Sequence, residues 1–154
     1  MLRDGQCIQA GEQLPGACIM THYDHKPQNA LRTSGGIGIL DWDEATYCNP
    51  RLEAVESALL WSEVSPGALA RRKFGAYLDA YLCAGGALDR LSPADFAKRV
   101  ASLYGWIDYL GRRALGEFGD TEREKELAVH RSLAAIRELA SVLRGIEEWT
   151  SWLD

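Results

Sequence analysis

Two short runs, 29–33 and 37–41, flank Ser34-Gly35-Gly36, and the β-ribbon they predict constrains this chain more than any other feature. The turn is rich in residues that tolerate φ > 0, as tight hairpins require. A hairpin brings its two outer ends together. Asn29 opens the first run and Asp41 closes the second, so the ribbon makes neighbours of two oxygen-bearing side chains twelve residues apart. Just upstream stand His22 and Asp24, in the pattern H-x-D-x-x-x-x-N. Pro27 restricts Lys26 to an extended conformation and stiffens this loop. The plain alternative is a polar turn in which Asp24 and Asn29 bond their own backbone.

The rest of the chain reads as one domain, 1–154. Residues 1–16 are an irregular lead-in with a turn at Leu14-Pro15-Gly16. Residues 17–21 suit a short buried strand, so 17–43 forms a strand, a polar loop and a hairpin. Beyond Asp43 the pattern turns helical, over 49–154. Asn49 caps a first helix with Pro50 at its first position, and Leu52, Val55 and Leu59 mark its inner face. Ser65-Pro66 repeats that start signal for a second helix, carrying Leu69, Phe74, Tyr77, Leu78 and Tyr81 and stopped by Gly85-Gly86. Ser92-Pro93-Ala94-Asp95 is a capping box for a third helix, buried along Phe96, Val100, Leu103, Ile107 and Leu110. Gly116 and Gly119 break it. Thr121 and Glu124 cap a fourth, with Leu133, Ile136, Ala140 and Leu143 inward, and a short helix with Trp149 and Trp152 closes the chain. The fold class is therefore α+β, mostly α: a small β-hairpin and four to five helices.

Charge and cysteine usage narrow the function classes. A net charge of −5 without a Lys/Arg block disfavours nucleic acid, because neutralising phosphates needs a basic face. No apolar run approaches the roughly 20 residues of a membrane span, so no membrane is expected. Cys7, Cys18, Cys48 and Cys83 show no C-x-x-C spacing and follow no secretory segment, which predicts reduced thiols and a cytoplasmic protein.

At His22, Asp24, Asn29-Ala30-Leu31, Leu40-Asp41-Trp42-Asp43-Glu44-Ala45 and Asn49-Pro50 the chain resembles the aminoglycoside phosphotransferase-like kinases, a superfamily that includes choline and homoserine kinases. The resemblance runs from about Ala17 onward. It departs at Tyr23, where Arg or Gly is common, at Gln28, and at Glu53, where the family often has Asp. It implies a protein-kinase-like C-lobe and ATP-dependent phosphorylation of a small hydroxylated or aminated molecule. Asp24 would be the catalytic base, and Asn29 and Asp41 would hold Mg²⁺. Hard oxygen ligands of this kind suit Mg²⁺ better than Cys or His would. His22, Asp43 and Glu53 are supporting candidates: His22 holding the loop, Asp43 near a metal or substrate, Glu53 bracing from beneath.

The family's nucleotide-gripping N-lobe has no counterpart in these residues. Only 21 residues precede His22, Gly35-Gly36-Ile37-Gly38 does not fit G-x-G-x-x-G, and the first lysine, Lys26, lies inside the loop itself. The expectation is a C-lobe with its N-lobe absent, inactive or nearly so alone, with a separate N-lobe chain as a possible partner. The alternative is a kinase-derived module that binds a ligand or partner without chemistry. A zinc site at His22, Asp24 and His25 is a weaker option, lacking a further ligand at metal-site spacing.

Overall fold

The computed structural model describes Gly11, Leu14, residues 16–65 and residues 68–153; the expected lead-in and the signals at Pro15, Pro66 and Cys7 lie outside them. The described residues form a mostly helical α+β fold, with four α-helices and three small antiparallel two-stranded sheets.

Strand β1 (Ile19–Thr21) pairs with β4 (Thr46–Cys48), and β2 (Ala30–Thr33) pairs with β3 (Gly36–Ile39). The hairpin is the ribbon its sequence predicts, with Thr33 opposite Gly36, whose φ of +134° favours glycine. Strand β4 departs from expectation, since the chain was expected to turn helical directly after Asp43. Thr46-Tyr47-Cys48 extends instead because β1 needs a hydrogen-bonding partner, and Met20 takes Tyr47. The loop 22–28 and the whole hairpin therefore leave and return through one small ribbon.

Helix α1 (Pro50–Ser62) starts where the sequence says. Asn49 accepts a hydrogen bond from the Arg51 N–H at 3.0 Å, and Pro50 fills the first position. Helix α2 (Arg71–Cys83) starts later than Ser65-Pro66 suggests. Ser65 instead lies in β5 (Glu63–Ser65), which pairs with β6 (Ala68–Leu69). A Ser-Pro pair suits an extended segment as well as a helix start, since proline restricts its predecessor to extended backbone. Gly85, at φ +94°, ends α2 as expected.

A 3₁₀ turn (Pro93–Phe96) leads into α3 (Ala97–Ala114), with Asp95 reaching back to the Ser92 N–H at 2.7 Å. Asp95 is fully buried and also receives the Arg51 guanidinium, which ties the start of α1 to this turn. Helix α4 (Glu122–Thr150) carries the Thr121–Glu124 capping box at its start.

The core joins Val55 and Leu59 of α1, Phe74 and Leu78 of α2, Phe96, Val100 and Leu103, and Leu139, Val142, Ile146 and Trp149 of α4. Each large side chain contributes about 1.5–3 kcal/mol by leaving water. The stripe on α3 lies inward as its spacing predicts, with Ile107 only partly buried.

The inner face of α4 differs from expectation. Ala128, Ala135, Leu139, Val142, Ile146 and Trp149 are buried, whereas Leu133 and Ile136 stand 48% and 47% exposed. Ala140 and Leu143 are partly buried. Two adjacent stripes share one helical period, and α3 packs against the one bearing alanines, which let two helix backbones approach. Trp149 belongs to this long helix rather than to a separate one; only Trp152 sits in the closing 3₁₀ turn (Ser151–Leu153).

Candidate functional site

The polar loop between β1 and β2 is held from several sides. Lys26 is extended (φ −130°, ψ 162°) ahead of Pro27, and a single 3₁₀ turn (Pro27–Asn29) delivers Asn29 into β2. Asn29 is buried. Its amide Nδ2 donates to Asp24 Oδ2 at 2.9 Å and to the Asp24 carbonyl at 3.0 Å. Lys26 Nζ lies 2.6 Å from the same Oδ2. Asp24 Oδ1 has no hydrogen-bond partner among the described residues, so it is the oxygen left to act.

The hairpin continues this arrangement. The Leu40 N–H donates to the Asn29 carbonyl at 2.8 Å, one step beyond the Ala30–Ile39 pair. Asp41 follows directly, with a left-handed φ of +62°. The carboxylates of Asp41 and Asp43 are exposed and make no hydrogen bond or ion pair among the described residues.

His22 joins the loop to the hairpin. Its Nδ1 accepts the Asp24 N–H at 3.3 Å, and its Nε2 lies 2.8 Å from the Leu40 carbonyl. One ring nitrogen must accept and the other donate, which specifies the neutral tautomer protonated on Nε2. The buried ring packs edge-on against Trp42, centroids 4.6 Å apart. His25 faces the other way, 2.9 Å from the Tyr77 hydroxyl and beside Trp61. Burial, with help from His22 and against Glu53, holds its pKa below the ordinary histidine value.

Beneath the loop lies a charged cluster. Lys98 Nζ donates to the Tyr23 carbonyl at 2.6 Å, pairs closely with Glu56, and sits 3.2 Å from Glu53 Oε2. Glu53 is not aligned for a hydrogen bond to it, and both its oxygens are buried without one. Its contribution to Lys98 is first of all one of charge. Burial pulls the Lys98 ammonium down, but Glu56 and Glu53 outweigh it and hold the pKa above the usual lysine value. Tyr23 itself has a left-handed φ of +67°, rare for a bulky residue. Such positions gather where function holds them.

Asp24 borders an open cleft of about 530 Å³, lined also by Tyr23, Glu44, Ser102, Gly105 and Trp106. The loop and hairpin thus bring His22, Asp24 and Asn29 into contact and set Asp41 next to a residue bonded to both His22 and Asn29. Asp43 stays apart on the surface, and Glu53 acts on the loop by charge, beside Lys98, rather than by a hydrogen bond.

Lys26 is a functional neighbour of Asp24 that the motif does not name, although its place two residues after Asp24 is a usable signal. Lys98 gave none, because a helical lysine is ordinarily solvated. Among the described residues no three His, Cys, Asp or Glu side chains form a metal-binding group, which removes the zinc option at His22, Asp24 and His25. Cys18, Cys48 and Cys83 are free thiols, and among the described residues no helix is long and apolar enough to cross a membrane.

No protein-family model, no curated protein and no solved structure matches the chain.

Proposed function

We propose that this chain supplies the acid–base and metal-holding half of a small-molecule kinase site, in a kinase-like C-lobe that transfers a phosphoryl group from ATP to a substrate hydroxyl. The observation that carries this reading is the Asn29 amide on Asp24 Oδ2, with the hairpin ladder running on from Asn29 to Leu40 and Asp41.

The donor set fits Mg²⁺. Asn29 Nδ2 is committed to Asp24, so its carbonyl oxygen is the atom free to bind, and Asp41 has no competing partner among the described residues. Both are hard oxygens. When bound, Mg²⁺ would neutralise phosphate charge. The chain's own residues do the rest. Asp24 Oδ1 takes the proton of the attacking hydroxyl. Lys26 and Asn29 fix the other oxygen, so the carboxylate cannot rotate away. The cleft beside Tyr23, Glu44 and Trp106 receives the hydroxylated or aminated substrate. A nucleotide-binding lobe must complete the phosphate clamp, since phosphoryl transfer depends on positioning and charge stabilisation.

The test is a thermal shift with Mg²⁺-ATP. The expected result is a rise in Tm that Asp41→Ala removes; no rise in the parent chain speaks against the reading. Turnover is expected only with the nucleotide-binding lobe supplied, and Asp24→Ala should then lower it by about 10²-fold or more.

A second reading has its own observation. Ile19, Met20, Leu31, Ile37, Trp42 and Tyr47 stand at least half exposed on or beside the two ribbons. Large apolar surface of this kind suits a docking face, and a kinase-derived module without chemistry would use it. Stability indifferent to Mg²⁺-ATP favours that module.

A further inference from the structure

Both atoms of the peptide group entering Asp24 are held by side chains from elsewhere. The Tyr23 carbonyl accepts from Lys98 Nζ at 2.6 Å, and the Asp24 N–H donates to His22 Nδ1 at 3.3 Å. Rotation of that peptide would break both bonds and swing the Asp24 side chain. The residue on its N-terminal side is itself in an unrelaxed conformation, since Tyr23 has φ +67°. Something must hold it there. Lys98 is suited to do so: its side chain is 4% exposed, and its ammonium lies 4.0 Å from the Tyr23 ring centroid as well as on the carbonyl.

The lysine in turn cannot leave. Glu56 contacts it within the core and Glu53 lies beside it, both from α1, while Lys98 belongs to the first turn of α3. The path continues past Asp24. His22 Nε2 reaches the Leu40 carbonyl at 2.8 Å, and Leu40 precedes Asp41. One line of bonds therefore runs from Glu56, through Lys98 and the 23–24 peptide, to His22 and the end of the hairpin.

We propose that Lys98 is a positioning residue for the phosphotransfer site: through the Tyr23 carbonyl it fixes the peptide that aims Asp24, and through His22 it sets the register of loop against hairpin. This rests on the function proposed above, but its physical content is separable. Lys98 touches neither the cleft nor the reacting groups; it acts through the backbone. Glu53 and Glu56 keep its charge in place.

Lys98→Met alone leaves Glu56 buried with only the more distant Arg99 guanidinium, 4.0 Å away, so it is expected to destabilise the chain strongly. The informative variant is Lys98→Met with Glu56→Met, made in a Glu53→Gln background because Glu53 would otherwise keep a buried charge without its cation; an apolar pair of similar length can replace a buried ion pair with little loss of stability. Circular dichroism and urea unfolding verify that it folds. Two readouts then report on the loop without any activity. In the parent chain, nitrogen NMR of His22 is expected to show one neutral tautomer protonated on Nε2. In the folded double variant it should become a tautomer mixture, and hydrogen exchange at the Asp24 amide should speed by about tenfold or more. Unchanged tautomer and exchange in a folded double variant would overturn the proposal. So would a parent chain whose His22 is already mixed. If the double variant does not fold, Lys98→Leu with Glu56→Gln in the same background, which also removes the donor to the Tyr23 carbonyl, takes its place under the same two criteria. Mg²⁺-ATP binding is measured alongside: its absence from the parent chain sinks the kinase reading, whereas the NMR outcome alone decides the role of Lys98.

Discussion

Asn29 holds Asp24 by two hydrogen bonds from one amide nitrogen, 2.9 Å to the carboxylate and 3.0 Å to the backbone carbonyl. The contact turns a flexible carboxylate into an oriented one and leaves the amide oxygen facing elsewhere. Asn29→Asp replaces the donor with a second carboxylate against Asp24. At pH 7 it should lower stability by about 1–3 kcal/mol, the cost of a broken buried hydrogen bond plus like-charge contact. Protonating one carboxyl removes the repulsion, so the cost should shrink towards pH 4. Urea unfolding of both chains across that range measures it, and a pH-independent difference would contradict the account.

His25 predicts a dependence on pH. Its pKa is held below the ordinary 6.5, first by burial and then by His22. The unfolded chain therefore binds this proton more readily than the folded one. The stabilisation is fully present above about pH 6.5 and is lost as pH falls through the depressed folded value. His25→Gln should remove this component of the acid destabilisation. Parallel pH titrations of Tm reveal it as a shallower slope below pH 6.5.

The face of α4 that meets α3 can be read out by a pair of substitutions. Leu139 is 8% exposed and Leu133 is 48% exposed. Leu139→Ala should cost about 2–5 kcal/mol as a core truncation, and Leu133→Ala less than about 1 kcal/mol. Similar costs at the two positions would mean that the helix is turned differently.

The buried Asp95 depends on one cation. Arg51 binds both of its oxygens and also reaches Asp89, and these hydrogen bonds, Asp95 first and against burial, hold the Arg51 pKa above its usual value. Arg51→Met leaves a fully buried carboxylate with only the Ser92 contacts, at a cost of about 3–5 kcal/mol. Adding Asp95→Asn should recover part of that loss. A double-mutant cycle by urea unfolding checks both steps.

The local order of this chain was legible from residues a few positions apart. Ser34-Gly35 makes the turn, Asn49-Pro50 and Thr121-x-x-Glu124 start helices, and Pro27 extends Lys26, because each acts within one turn of its own backbone. The H-x-D-x-x-x-x-N spacing likewise singled out Asp24 and Asn29 as a pair. Only the folded chain decided the partnerships between distant residues: β1 with β4, Lys98 under Tyr23, His22 on Leu40, and the alanine-bearing stripe of α4 turned inward while Leu133 faces water. A sequence shows that a helix has apolar stripes or a lysine, but not which surface another helix will cover. That choice is made by close packing and by the need of every buried charge for a partner, and both are properties of the whole assembly.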